Sequence, residues 1–399
     1  MAHSRRRHLG LVLATLVGLA AGQAVSAEPV KIGILVPLSG PTAQFGINIR
    51  NGVELALDNM KLAGELKALG DDVQLVYADV PAPNAAAAAT QRLISQDGVV
   101  GIIGSFVSSI TLAASEVTER AGVPMITHSF ADQITGRSYK YIFQVTNTAS
   151  VYGEKQFTDA IEIAKRAGNP VTKVAILYED TAYGTAQAKG LRDAANKLGI
   201  PIVVDESYPL NLTDASPLVN KIRASSADLV FPVSYFNDAL LIIRTMKQQN
   251  LDIPIVGGAA GYIIPDFKKG LGDLAEGVYS IAPANYDAIP SVAAQYKAKY
   301  GAFMPHEALM YGAGLQHMIK AIEVAKSRDP DKIRDAIASL KKCDGFAAGL
   351  PGGCTAFDPK GLTSIAFPVF VQWRGDDIVT VYPPEVAKAP AYWHGKPVN

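Results

Sequence analysis

The chain has 399 residues, 49% of them hydrophobic and 19% charged, with 37 Lys and Arg against 37 Asp and Glu. That balance leaves no basic stripe for a nucleic-acid partner, and two cysteines exclude a disulfide-built scaffold. The length exceeds what one hydrophobic core serves, so two domains are expected.

Residues 1–27 read as an export signal. "SRRRH" is a basic start, "LGLVLATLVGLAAG" an apolar core, and "VSA" a small-x-small cleavage site ending at Ala27. The apolar part is short for a membrane span, and no cysteine sits at the cleavage point to carry a lipid. "SRRRHL" also resembles a twin-arginine signal, with His8 where a bulky apolar residue is usual. Without its three arginines the remaining 372 residues hold 34 basic against 37 acidic groups. A soluble periplasmic protein is expected.

Short β-branched runs alternate with longer amphipathic ones. Strands are expected at 30–36, 73–79, 99–103, 123–127 and 141–145, with helices near 46–64, 84–96 and 110–121 between them. The order then restarts: strands at 173–178, 201–207, 227–233 and 253–256, helices near 153–167, 184–198, 214–224 and 237–248. Helices near 306–325 and 330–340 follow, then strands near 366–373 and 378–382. Buried strands joined by crossover helices form parallel sheets covered on both faces. Two such sets predict an α/β protein of two doubly wound, Rossmann-like lobes, with a boundary near 146–152.

Ligands of parallel sheets sit beyond the carboxyl ends of the strands, near helix N-termini. "VVGIIGSFVSSIT" ends a strand at Gly104 and places Ser108 and Ser109 just before a helix. The free amides of a first turn favour an anion, and serine hydroxyls add donors. A serine there also commonly caps its own helix. "VPMITHSFAD" repeats the arrangement with His128 and Ser129. His128 is too isolated for a ligand group and is expected behind the site or at the surface. Loop 37–46 adds Phe45, "YEDTAYG" adds Tyr183, and Tyr235 and "GGAAGY" follow two later strands. These neutral and aromatic loops suit a small molecule with an apolar body and an anionic end.

Cys343 and Cys354 bracket the glycine-rich "CDGFAAGLPGGC" and are expected to form a local disulfide. A metal site there lacks nearby histidines. "HEALM" at 306–310 has Met310 where a zinc protease needs its second histidine. No G-x-S-x-G, no G-x-G-x-x-G opening a βαβ unit and no phosphate loop is present, so neither catalysis nor a cofactor is expected.

"KIGILVPLSGPTAQFGINIRNGVELALDNM", "VVGIIGSFVSSITLAASEVTERAGVPMITHS", "VAILYEDTAYGTAQAKGLR" and "DLAEGVYS" resemble the substrate-binding proteins of branched-chain amino-acid ABC importers. The resemblance implies a type I periplasmic binding protein fold, with lobes of 28–148 plus 283–362 and 149–282 plus 363–399 crossed three times by the chain. It implies a monomer that delivers its ligand to a membrane permease. By position, Ser108 matches the serine that holds the ligand carboxylate, and Ser129 the residue whose carbonyl receives the amine. Tyr183 matches the ligand-facing tyrosine, while Phe45 and Tyr235 match aromatic borders of the pocket. Two positions depart: Ala131 replaces a threonine, and Ala259 stands where amino-acid binders carry a glutamate for the ammonium. An unpaired buried ammonium is costly, so an aromatic or 2-oxo acid is favoured here over a branched-chain amino acid. Asp132, Asp180 or Glu307 is the alternative source of a carboxylate, and a ligand sensor without a transporter is the rival class. Ser108→Ala is expected to weaken carboxylate binding more than tenfold with little change in stability.

Overall fold

The structure, a computed structural model, describes residues 28–70 and 72–398. The export signal lies outside the described residues. In chain order the first lobe holds β1 (Val30–Val36), α1 (Ala43–Leu62), β2 (Val73–Asp79), α2 (Pro83–Ser95) and β3 (Gly101–Gly104). It continues with α3 (Ser108–Ala121), β4 (Met125–Thr127), α4 (Gln133–Gly136) and β5 (Ile142–Gln144). Its strands are all parallel, in the order β2-β1-β3-β4-β5. β3 and β4 are buried at every position, which is why they read as unbroken apolar runs.

The second lobe begins with α5 (Ala149–Arg166), β6 (Val174–Glu179), α6 (Ala182–Leu198), β7 (Ile202–Tyr208) and α7 (Ser216–Ser225). β8 (Leu229–Val233), α8 (Phe236–Gln248), β9 (Val256–Gly257), α9 (Pro265–Leu271) and β10 (Tyr279–Ala282) follow. The chain then forms α10 (Pro290–Tyr300), α11 (His306–Ala325) and α12 (Pro330–Ser339). It ends with β11 (Val369–Arg374), β12 (Asp377–Tyr382) and a small hairpin of β13 (Tyr392–Trp393) and β14 (Lys396–Pro397). Parallel strands β7-β6-β8 connect through one parallel bridge, Val230 to Ile255, to a sheet ordered β12-β11-β10-β9.

Three passages join the lobes. The chain leaves the first sheet after β5, returns after β10 so that α11 packs on α1, and leaves again once Leu362 has bridged Gln144. The expectation of purely parallel sheets fails at β10, β11 and β12, which pair antiparallel. The two-residue connection Gly375–Asp376 between β11 and β12 permits nothing else. α9, β10 and α10 were not expected. β10 has four residues, and α10 buries only Tyr296, so neither writes a clear period into the sequence.

Helices approach closely where glycines meet backbone. A Cβ on Gly52 of α1 would lie 2.3 Å from the Ala308 carbonyl oxygen of α11. In the second lobe a Cβ on Gly153 (α5) would lie 2.0 Å from the Gln187 carbonyl oxygen, and one on Gly190 (α6) 2.0 Å from that of Ser150.

Cys343 and Cys354 are bonded, closing a loop whose Phe346 ring packs over Gly312 of α11. Closing so short a loop contributes about 3 kcal/mol on chain-entropy grounds.

Behind this loop His317 is fully buried on α11. Its Nδ1 lies 2.8 Å from the Thr355 hydroxyl and its Nε2 3.1 Å from the Ile337 carbonyl, so Nε2 carries the proton. Burial, with the Lys342 ammonium nearby, lowers its pKa to about 4 against the opposing pull of the Ile337 carbonyl. The unfolded chain takes this proton near pH 6.5 and the native one only near 4, so stability is lost as pH falls through that window. The His317 share of the unfolding free energy should drop by about 2 kcal/mol from pH 7 to pH 5. Urea titrations at both pH values on wild type and His317→Gln check this: the variant should lose that share of the slope, and an unchanged slope refutes it.

Candidate functional site

The loops after β3, β4, β6, β8 and β9 meet between the lobes. β3 ends at Gly104, which lies flat against β1: a Cβ there would stand 2.1 Å from the Leu35 carbonyl oxygen. Phe106 follows at φ 80°, a left-handed conformation that costs a bulky residue free energy unless its surroundings enforce it. They do. Its N–H donates to the Tyr311 hydroxyl of α11 at 2.6 Å, and its carbonyl accepts from the Ser129 hydroxyl at 2.9 Å.

Ser108 is the first residue of α3 and only 1% exposed. It does not cap its own helix. Its Oγ accepts instead from the N–H groups of Phe130 at 3.2 Å and Ala131 at 3.1 Å. Among the described residues no acceptor takes the Ser108 O–H, so that donor is unused by the protein. The Tyr235 hydroxyl of the second lobe faces the Ser108 N–H, and burial holds its pKa well above the usual phenol range. Helix amides, a serine hydroxyl and a neutral phenol thus converge at one turn, an arrangement that can hold a carboxylate.

The other expected residues divide. Ser109, on the same first turn, is half-buried. Ser129 is buried, but its hydroxyl is engaged by Thr111 at 2.6 Å and Thr127 at 3.1 Å besides Phe106. Its carbonyl accepts from Gln144 Nε2 at 2.7 Å, which leaves one lone pair. Ala131 contributes its amide to Ser108 and a buried methyl. Phe45 lies inside α1 rather than on the loop before it, stacked on Phe106 with ring centroids 4.3 Å apart.

Aromatic rings close the space between the lobes. Phe130 stands 5.6 Å from Tyr183, and Tyr235 stands 5.5 Å from Tyr183, 6.0 Å from Phe45 and 6.3 Å from Phe106. The Tyr183 hydroxyl donates to the Gly258 carbonyl, and its burial pushes the phenol pKa well up. Ala259 sits next in that loop at φ 69°, its N–H donating to Ser280 Oγ at 3.0 Å, with Ala260 also left-handed at φ 30°. Two alanines in a region that favours glycine mark a tightly determined loop, and it offers no carboxylate.

Of the two places expected for His128, behind the site or at the surface, the surface one is excluded: it is fully buried, its ring 5.2 Å from His306 and 5.6 Å from Tyr311. Phe106, Phe130, His306 and Tyr311 were not singled out as ligand-facing groups. Phe106 lay inside the quoted serine motif, and its neighbourhood was the available signal. His306 and Tyr311 come from a helix far along the chain and gave none. Of the alternative acids, Asp180 is exposed, Asp132 accepts from the Ser150 N–H at 3.0 Å, and Glu307 is fully buried beside His306. A separate cavity of about 590 Å³ lies in the second lobe around Met246, Ile255, Trp373 and Trp393; none of the expected ligand residues borders it.

Residues 29–364 match a protein family described as "Periplasmic binding protein". The chain is similar to Leu/Ile/Val-binding protein homolog 8 of Brucella melitensis, 33% identical over 94% of this chain and 97% of that one. Its fold is similar to that of a leucine binding protein from Thermotoga maritima, with a TM-score of 0.77 and 22% identity over 89% of this chain and 99% of that one. It is also similar to that of an ABC-transporter solute binding protein from R. palustris in complex with benzoate, with a TM-score of 0.75 and 20% identity over 88% and 95% of the two chains.

Proposed function

Because the chain belongs to the periplasmic binding protein family and captures a small ligand for an ABC importer, we propose that this ligand is a hydrophobic α-amino acid held between the lobes. The observation that carries the reading is the Ser108 turn, where an unused hydroxyl donor, helix amides and the Tyr235 phenol face one point. A carboxylate takes that point, and the rings of Phe45, Phe106, Phe130, Tyr183 and Tyr235 cover an apolar body. The Brucella relative named for leucine, isoleucine and valine, and the leucine binding protein, weigh toward an amino acid. In this reading residues 28–148 with 283–362 close against 149–282 with 363–399, and a permease reads the closed form. Members of such a family bind and release; they do not catalyse.

A second reading, an amine-free aromatic or 2-oxo acid, draws on the absence of a carboxylate at Ala259 and on the relative that holds benzoate. Refolded protein stripped of carried ligand separates the two by calorimetry. Leucine, isoleucine, valine and phenylalanine form one panel; benzoate, phenylacetate, hydroxycinnamates and 2-oxo acids form the other. Tight binding within the first panel is expected. Tight binding of amine-free acids alone replaces the proposal with the second reading.

A further inference from the structure

Three neighbouring groups on the first-lobe side of the cleft have polar atoms with nothing to bond. His128 and His306 are 0% and 3% exposed, and both ring nitrogens of each lack a hydrogen-bond partner among the described residues. Glu307 is also fully buried; its Oε1 accepts from Asn48 Nδ2 at 2.8 Å while its Oε2 is unpartnered. That Oε2 lies 2.9 Å from His306 Nδ1, close but too poorly aligned for a hydrogen bond. Buried polar groups are nearly always satisfied, so a cluster of this kind calls for a missing partner. A buried carboxyl oxygen with no donor, beside imidazole nitrogens with no partner, calls for a group that can donate to them all.

The position fits a ligand amine. His128 belongs to the same loop as the Phe130 and Ala131 amides that bond Ser108, and in an α-amino acid one carbon separates the ammonium from the carboxylate. Phe106, whose backbone forms the serine turn, has its ring 5.9 Å from that of His128 and 6.1 Å from that of His306. Burial, with His306 beside it, keeps the His128 pKa far below the usual imidazole range, so this ring stays neutral and has a nitrogen lone pair to offer. On the second lobe the loop at Ala259 presents no acid.

We propose that His128 and His306, backed by the Glu307 carboxylate, receive the ligand's ammonium group on the first lobe. This inference rests on the amino-acid reading. It assigns the amine contact to residues that meet the carboxylate turn before the lobes close, so both ends of the ligand are held by one lobe.

Matched ligands test it: leucine against 4-methylpentanoate, and phenylalanine against 3-phenylpropionate, each pair differing by the amine alone. Wild type should prefer the amine-bearing member at least a hundredfold, and Glu307→Gln and His306→Gln should each cut that preference more than tenfold. In wild type with labelled histidine nitrogens, leucine should shift the ring resonances of His128 and His306, and 4-methylpentanoate should leave them nearly in place. That measurement holds even if a variant fails to fold. An undiminished amine preference in both variants, or equal shifts with both ligands, overturns the inference while leaving the amino-acid reading intact. No amine preference in wild type overturns both.

Discussion

Ser108→Ala should weaken binding of the carboxylate ligand more than tenfold and also lower the unfolding free energy of the ligand-free protein by about 2 kcal/mol. The binding loss follows from removing a hydroxyl donor at the turn that no acceptor among the described residues takes. The stability loss follows from what the same oxygen accepts. The Phe130 and Ala131 amides lie in a fully buried loop, and the alanine leaves both without an acceptor. An orphaned buried N–H typically costs about 1–3 kcal/mol. Calorimetry with the preferred acid and urea unfolding without it read the two effects separately. Unchanged affinity would remove Ser108 from the site, and unchanged stability would mean that the loop finds other acceptors.

Gly153→Ala should cost about 3 kcal/mol, and Gly190→Ala a similar amount. Each added methyl would stand 2.0 Å from a carbonyl oxygen of the facing helix, and backbone cannot swing aside as a flexible side chain does. The only relief is to part α5 from α6. One such movement relieves both contacts, so the double variant should cost clearly less than the sum of the singles. Gly136→Ala is the control, because a Cβ there meets nothing within 4 Å. Urea unfolding of the four variants checks this, and strict additivity would show that each site yields locally instead. α6 also carries Tyr183, so both variants should weaken ligand binding along with the fold.

The lobes were legible because their central strands are buried on both faces and most of their helices keep an apolar stripe. The run at 30–36 matches β1 residue for residue, and the helices at 184–198 and 306–325 lie within two residues of α6 and α11. The turn at Ser108 was legible for the same reason: local spacing sets a strand end beside a helix start. Its bonding was not. Which amides the serine oxygen meets depends on a loop 22 residues away, and the expectation of little stability change takes no account of them. Ser129 is expected to meet a ligand through its carbonyl; that its hydroxyl holds the turn together through Thr111, Thr127 and Phe106 was not legible. The pairing of His128 with His306 was beyond reach, since no periodicity relates one loop to a helix start so far along the chain.

The three passages between the lobes set the order in which the chain becomes a protein. The first lobe waits for α11 to cover α1, and for Leu362 to meet Gln144. The second waits for β11 and β12, which finish its sheet only at Tyr382. The first lobe therefore cannot complete itself until most of the second has been made, and the second is finished only after the first. Contacts this distant in sequence form slowly, so the nascent chain stays open until β12 has been made, and the two halves of the trap mature together.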